Sequence, residues 1–451
     1  MDNTTSKIFG LHDCRFENSV IENKNGRKYQ HHYFVYEGPV QEICTECGER
    51  MYKHGSRIIN VTDIPREFPV KWSIEIPRRR CKNCKNIWQP SIKGIDEKRD
   101  LSDKALLNIA ERSLRDSFET IAYDYMLAGN TIKNVFIEFL QIYEKELRFV
   151  TPSFIGIDEI KIKKLGELTV ITDLEHRTLF DILKGRNQKS LTEYFSNLDG
   201  REGVLWVCSD MYRPFEGSIG SSFPNARWVI DHFHVVMKAN EAVDAVRRTL
   251  QATMSKPDRI KTKRGLAYTL KTRSKDLTAE EASKIKALRD IPDLKPLAIA
   301  FDLKEDFFNI YDENPSSKDK AIEAFEAWEM SIPADAVYEK FRELAGTVHR
   351  FKEQIFNYWD CPVAITNGFT ECSNRIIREN NLRGRGYSFE ILRGRTLYRK
   401  SNFDKLLHSG MVKIGPVIPR EGYVFHMEGT NESLSELFGK DFDPETGEIL
   451  E

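Results

Sequence analysis

The consecutive runs FIGIDEIKIKK (154–164), ELTVITDLEH (167–176) and RTLFDILKGR (177–186) decide the fold. Each is rich in aliphatic and β-branched residues, which predicts three successive β-strands. KSLTEYFSNL (189–198) changes to a helical period, and GVLWVCSD (203–210) returns to an apolar strand ending at Asp210. After a loop and a helix, ARWVIDHFHV (226–235) reads as a further strand. Three strands, a helix, then alternating strands and helices is the order of a ribonuclease-H-like fold.

Carboxylates in this frame are chemically informative. Asp158 lies inside Ile155-Gly-Ile-Asp, where a charge is expensive without a metal or a partner. Asp210 ends a second apolar strand, and the first and fourth strands of such a sheet are neighbours. A late helix around Gly368-Phe-Thr-Glu371-Cys-Ser-Asn-Arg-Ile-Ile would project Glu371 across them. Carboxylates converging from separate elements suit a two-metal site for Mg²⁺ or Mn²⁺, in which the ions flank a phosphate. Aspartates also commonly end strands, and two rivals remain, Asp231 after Trp228-Val-Ile and Asp173 on a central strand. Glu159 should point to the opposite face from Asp158.

Upstream, Cys44-x-x-Cys47 and Cys81-x-x-Cys84 bracket 33 residues with two strand-like pieces, at 57–61 and 70–76. Four thiolates close a tetrahedral zinc site, which makes the ion structural; His54 is then not needed as a ligand. Cys14, Cys208, Cys361 and Cys372 read as ordinary thiols. Arg78, Arg79 and Arg80 beside the module suit phosphate contacts or a solvated surface. Ser102 and Ser117 can cap two helices, Ala128-Gly129-Asn130 makes a break, and TIKNVFIEFLQIYEKEL (131–147) runs on as a longer helix. This is the layout of a helix-turn-helix, with Thr131, Lys133 and Asn134 opening the helix that would face base edges.

The expected chain is therefore multidomain α/β. A small zinc-bound β module spans 1–95 and a helix-turn-helix 100–150. A ribonuclease-H-like catalytic core covers 151–237 and 361–415, interrupted by a helical insertion at 238–360, and an acidic tail fills 416–451. The formal net charge of −1 conceals three basic blocks. Lys and Arg outnumber Asp and Glu by 11 to 5 over 44–93, 10 to 1 over 247–275 and 8 to 2 over 375–400. Such blocks fit phosphate binding. No apolar run approaches the roughly 20 residues of a membrane span, and MDNTTSKIFG lacks the pattern of a secretion signal. A cytoplasmic chain is expected.

Several motifs together resemble the ISL-three family of bacterial insertion-sequence transposases. They are Gly156-Ile-Asp-Glu, Gly185-Arg186, Ser209-Asp-Met, Phe223-Pro-Asn-Ala, Val229-Ile-Asp-His-Phe-His-Val-Val, Lys238-Ala-Asn-Glu-Ala, Asn367-Gly-Phe-Thr-Glu-Cys-Ser-Asn and Arg383-Gly-Arg-Gly-Tyr. The resemblance implies a catalytic Asp-Asp-Glu triad at Asp158, Asp210 and Glu371 and selects Glu371 over Asp231. It leaves Asp231, His232 and His234 without a role, and Cys372 stands where the family often has glycine. It implies a transposase that binds the terminal repeats of an element, cuts and joins double-stranded DNA, and works as a homo-oligomer on element ends and target. An inactive DNA-binding regulator, or a nuclease that hydrolyses without joining, would share much of this sequence.

Overall fold

The computed structural model describes residues 9–11, 13–254, 265–314 and 316–414. The acidic tail 416–451 and the middle of the basic block 247–275 lie outside the described residues. The chain divides into two compact units, Met1–Phe149 with Asn380–Glu451, and Val150–Glu379.

The first unit holds the cysteine pairs. Strands β1 (Cys14–Lys24), β2 (Arg27–Tyr36), β3 (Met51–Asp63), β4 (Val70–Cys81), β5 (Ile87–Trp88), β6 (Ile95–Asp96) and β7 (Leu101–Ser102) form one sheet. Its order is β1-β2-β4-β3-β7-β6, with β5 on β4. One face buries Phe34, Val61, Trp72, Ile74 and Ile76, each aliphatic side chain contributing roughly 1.5–3 kcal/mol. The hairpin β1–β2 lies where the sequence shows no firm periodicity. The reason is chemical: β2 buries His32 and Phe34, while Tyr29, His31 and Tyr33 occupy its other face. Aromatic rings on both faces erase the period-two signal. Tyr29, Tyr33 and His31 converge on Glu22, and hydrogen bonds from the two tyrosines draw that carboxyl down to about 2.

Helices α1 (Asp103–Ser113), α2 (Phe118–Tyr125) and α3 (Gly129–Glu146) follow. Ser102 and Ser117 cap the first two, accepting from Ala105 N and Thr120 N. The turn before α3 is Met126–Ala128. Met126 takes the left-handed C-cap conformation at φ 51°, which costs a non-glycine residue about 1 kcal/mol. Gly129 and Asn130, expected to break the chain, instead form the first turn of α3. Ile109, Ile121, Tyr125, Ile132 and Phe136 are fully buried among the three helices.

The helix Phe389–Leu397 belongs to this unit rather than to a core running from 361 to 415. A Cβ on its Gly394 would lie 2.4 Å from Leu140 on α3, so only glycine permits this approach. Arg395, 3% exposed, donates to the carbonyls of Ser113 and Asp116. The strand Val412–Ile414 pairs with β8 (Leu147–Phe149).

The second unit is built on β9 (Phe154–Ile162), β10 (Gly166–Asp173), β11 (Thr178–Lys184), β12 (Trp206–Ser209) and β13 (Arg227–Ile230). The order is β11-β10-β9-β12-β13. The first three strands are antiparallel, and β12 runs parallel to both β9 and β13. Helices α4 (Gln188–Ser196), α5 (Arg213–Ser222) and α6 (His232–Thr253) accompany them. The helical stretch continues with α7 (Ala279–Leu288), α8 (Lys295–Glu313), α9 (Lys318–Ser331) and α10 (Glu339–Arg350), and α11 (Gly368–Arg383) carries Glu371. The strand expected over 226–235 stops at Ile230. Asp231 turns the chain by capping α6, its side chain accepting from Phe233 N, so no break occurs at 238. No helix among the described residues is long and apolar enough to cross a membrane.

Candidate active site

Strand register brings the acids together. Cys208 on β12 pairs with Gly156 on β9 in parallel, so Asp158 and Asp210, each two residues further on, leave adjacent strands in the same direction. Ser209 pairs with Ile230 on β13, which sets Asp231 next to Asp210. Asp231, His234 and Glu371 each offer a ligand atom within 4.8 Å of the others.

Electrostatics tie the five groups into one cluster. Burial lifts Asp158 above the ordinary carboxylate range, and Asp231 adds to the rise while His234 opposes it. Asp210 is lifted by burial and by Asp158, with His234 again opposing. Glu371 is lifted by burial, then by Asp231 and Asp158. Each acid is thus harder to ionise chiefly because its carboxylate is desolvated, and further because a neighbour is an acid.

The donor set suits a divalent cation. Asp231 is 1% exposed. Its Oδ1 accepts from Phe233 N and Thr366 Oγ1, both at 3.4 Å. Its Oδ2 and the Nε2 of His234 are buried with no hydrogen-bond partner among the described residues. A buried carboxylate oxygen and ring nitrogen left unpaired beside further carboxylates ask for an ion. Asp158 is more constrained: Oδ1 accepts from Glu159 N at 2.8 Å and Oδ2 from Asn374 Nδ2 at 2.7 Å.

The group at mutual ligand distance is therefore Asp231, His234 and Glu371. Asp158 and Asp210 lie outside it and are linked to it electrostatically, and sequence reasoning left Asp231 and His234 without a role. The available signal was the Asp-x-x-His spacing, which places both residues on one turn at a helix start. The other acids are otherwise engaged. Glu159 pairs with Arg186, which also binds Glu167 at 2.8 Å and lies over the Tyr212 ring. Asp173 binds His176 Nδ1 at 2.7 Å in the β10–β11 turn. Cys372 is a half-buried free thiol outside the ligand group.

The four N-terminal cysteines meet at the far end of β3 and β4. Their Sγ atoms are 3.5 Å apart for Cys44–Cys84, 3.4 Å for Cys47–Cys81 and 3.6 Å for Cys47–Cys84. These spacings are far beyond a disulfide bond of about 2.05 Å. They are close to the roughly 3.8 Å edge of a tetrahedron with 2.3 Å zinc–sulfur bonds. His54 stands outside the group.

Arg78, Arg79 and Arg80 form the half-buried last turn of β4 toward this cluster. Thr131, Lys133 and Asn134 lie in the first turns of α3, whose N-terminus has no side-chain cap. Thr131 and Asn134 open on a cavity of about 620 Å³ shared with Lys98, Arg99 and Glu138, whereas Lys133 does not line it. Arg99 is already bound there by Asp96 and Glu138.

Comparison with known proteins gives two findings. Residues 155–396 match the sequence profile of the ISL3 group of DDE proteins, described as "Transposase". The transposase for insertion sequence element IS1001 of Bordetella parapertussis is 25% identical over 234 residues. That similarity covers 50% of this chain and 57% of the relative, a little over half of its length.

Proposed function

Given that the chain belongs to the ISL3 family of DDE transposases, we propose that it cuts and joins DNA strands at the Asp158, Asp210 and Glu371 cluster. The observation that supports this reading is that Asp158 on β9 and Asp210 at the end of β12 leave adjacent parallel strands, while Glu371 on α11 interacts electrostatically with Asp158 and Asp231. The sheet order 3-2-1-4-5 supports a ribonuclease-H-like core.

Asp158 and Asp210 leave neighbouring strands and would share the divalent ions, with Glu371 closing the site from the helix. Bound Mg²⁺ or Mn²⁺ would activate the attacking oxygen and stabilise the leaving oxygen at a scissile phosphate. Asp231 would present its unpaired oxygen to the same space, and His234 its unpaired ring nitrogen. The mixed nitrogen and oxygen donor set suits Mn²⁺ at least as well as Mg²⁺.

The first unit would recognise the DNA. Zinc held by Cys44, Cys47, Cys81 and Cys84 would have four thiolate ligands and would serve structure alone. The uncapped start of α3 offers free backbone N–H groups and Thr131, Lys133 and Asn134 to a major groove. Arg78, Arg79 and Arg80 would add phosphate contacts that weaken with salt. Holding two element ends calls for at least two copies of the chain, acting in the bacterial cytoplasm.

The test is cleavage of DNA carrying the ends of the parent element, with Mg²⁺ or Mn²⁺, comparing wild type with Asp210→Ala. Loss of cleavage in the variant is expected; equal cleavage would sink the assignment. A strand-transfer product from a 3′-hydroxyl end separates a transposase from a nuclease. End binding without any cleavage would indicate an inactive regulator.

A further inference from the structure

The residue just before α11, Asn367, and one face of the helix break the ordinary rule for a helix packed against a sheet. Positions 367, 370, 371 and 374 recur at the i, i+3, i+4, i+7 spacing that normally carries apolar side chains. Here they are Asn367, Thr370, Glu371 and Asn374. Asn367 and Thr370 are 0% exposed and Asn374 is 4% exposed. Burying three polar side chains on one stripe costs free energy unless each is satisfied.

The partners form a directed chain. Asn367 Nδ2 donates to the Ile157 carbonyl of β9 at 2.8 Å. Thr370 Oγ1 donates to Asn367 Oδ1 at 2.8 Å. That spends the single hydroxyl proton of Thr370, so in the 2.7 Å contact with Thr172 Oγ1 on β10 the donor is Thr172, whose other acceptor, the Gly156 carbonyl, is distant at 3.5 Å. Thr172 is itself 0% exposed. The helix can approach this closely because residue 156 has no side chain. A Cβ there would stand 2.5 Å from Thr370 Oγ1, 2.6 Å from Thr172 Oγ1 and 2.7 Å from Asn367 Oδ1. One turn further along, Asn374 Nδ2 donates to Asp158 Oδ2 at 2.7 Å. The same stripe therefore fixes the helix to the sheet on both sides of Glu371 and holds one oxygen of Asp158.

We propose that Asn367, Thr370 and Thr172, packed over Gly156, form a polar clasp that sets Glu371 at the metal cluster, and that Asn374 orients Asp158 from the same helix face. These are positioning residues, and the proposal rests on the reading of Asp158, Asp210 and Glu371 as ion ligands. Hydroxyl and amide partners impose direction, which apolar contacts at the same positions would not. A sliding or rotating helix would break the chain at a defined atom, so Glu371 is held in register with β9.

Mn²⁺ titration of the full chain, followed by electron paramagnetic resonance, tests this without any DNA reaction. Thr370→Val keeps the shape and removes the hydroxyl; Thr370→Ser keeps the hydroxyl. Thr370→Val should weaken Mn²⁺ about tenfold, the low end for residues that orient metal ligands. Thr370→Ser should stay within about twofold. In a Glu371→Gln background, Thr370→Val should add little further loss, because the two act through one ligand. Thermal melting of each variant checks that the unit remains folded, with Thr370→Ser as the rescue. If Glu371→Gln weakens Mn²⁺ but Thr370→Val leaves it unchanged or acts additively with it, the clasp is overturned and the metal reading survives. If Glu371→Gln itself leaves Mn²⁺ binding unchanged, both are overturned.

Discussion

Asp210→Asn should make the metal-free protein more heat-stable and at the same time blunt its response to Mn²⁺. Asp210 is raised above the ordinary carboxylate range by burial and by Asp158 beside it, so at neutral pH the folded state carries a repulsion that the unfolded chain relieves. Removing that charge should contribute roughly 1 kcal/mol, the usual scale for relaxing a strained functional site. For a unit the size of Val150–Glu379, each kcal/mol moves Tm by about 2–4 °C. Mn²⁺ at a hundred times its dissociation constant stabilises the wild type by about 2.7 kcal/mol, or roughly 5–10 °C. If losing Asp210 weakens the ion a hundredfold, the same concentration yields about 0.4 kcal/mol, or roughly 1 °C. Differential scanning calorimetry on protein freed of loosely held ions, with zinc retained, reads both numbers. An equal Mn²⁺ increment in wild type and variant would place the ion elsewhere and refute the assignment. An unchanged metal-free Tm would refute the repulsion.

Cys81→Ser should release one zinc per chain by elemental analysis and open the distal ends of β3 and β4, where Cys44, Met51, Cys81 and Trp88 pack. The Trp72 core lies in a separate cluster and should keep its amide-exchange protection; global loss would show that zinc carries the whole sheet. Lys71 is drawn down to about 8 by burial and by Lys24 and Arg27, against about 10.4 in the unfolded chain. Its charged form is the costly one when folded, so stability should rise from about pH 8 to pH 10. Lys71→Met should lose that rise by roughly 2 kcal/mol on denaturant unfolding; parallel profiles would contradict it. Asn374→Leu should weaken Mn²⁺ about tenfold while Asn374→Gln weakens it less, read by the same titration. His234→Ala should lower the preference for Mn²⁺ over Mg²⁺ in cleavage, since the imidazole is the softer ligand. An unchanged metal ratio would remove it from the site.

Much of the second unit was legible because its strands are conventional. The runs at 154–164, 167–176 and 203–210 carry enough aliphatic and β-branched residues to declare themselves; β9 and β12 lie within theirs, and β10 starts one residue before its run, at Gly166. The cysteine pairs were equally clear, since two Cys-x-x-Cys corners leave a thiolate site few alternatives. The hairpin β1–β2 was not legible, because Tyr29, His31 and Tyr33 put aromatic rings on the face away from the core. The placement of Phe389–Leu397 against α3 was also hidden. It depends on Gly394 fitting against Leu140, a contact between positions more than two hundred residues apart.

The site shows a different kind of illegibility, and its cause is specific. Asp231 follows Trp228-Val-Ile and reads as the end of a strand, yet its side chain begins a helix by accepting from Phe233 N. A carboxylate that caps with one oxygen leaves the other free, and in this fold the free oxygen is buried beside Glu371. The capping bond therefore aims the second oxygen, and the helix it starts delivers His234 one turn later. A strand continuing through 235 would have sent alternate residues to opposite faces and parted Asp231 from His234. The local conformation that sequence patterning misjudged is the one that joins these two residues to the acids. Replacing the cap would separate its two roles: Asp231→Ser keeps a side-chain oxygen for Phe233 N and removes the free carboxylate oxygen. Helix content by circular dichroism should hold in Asp231→Ser while Mn²⁺ binding weakens. Loss of both together would mean that the cap, and not the ligand, is what Asp231 supplies.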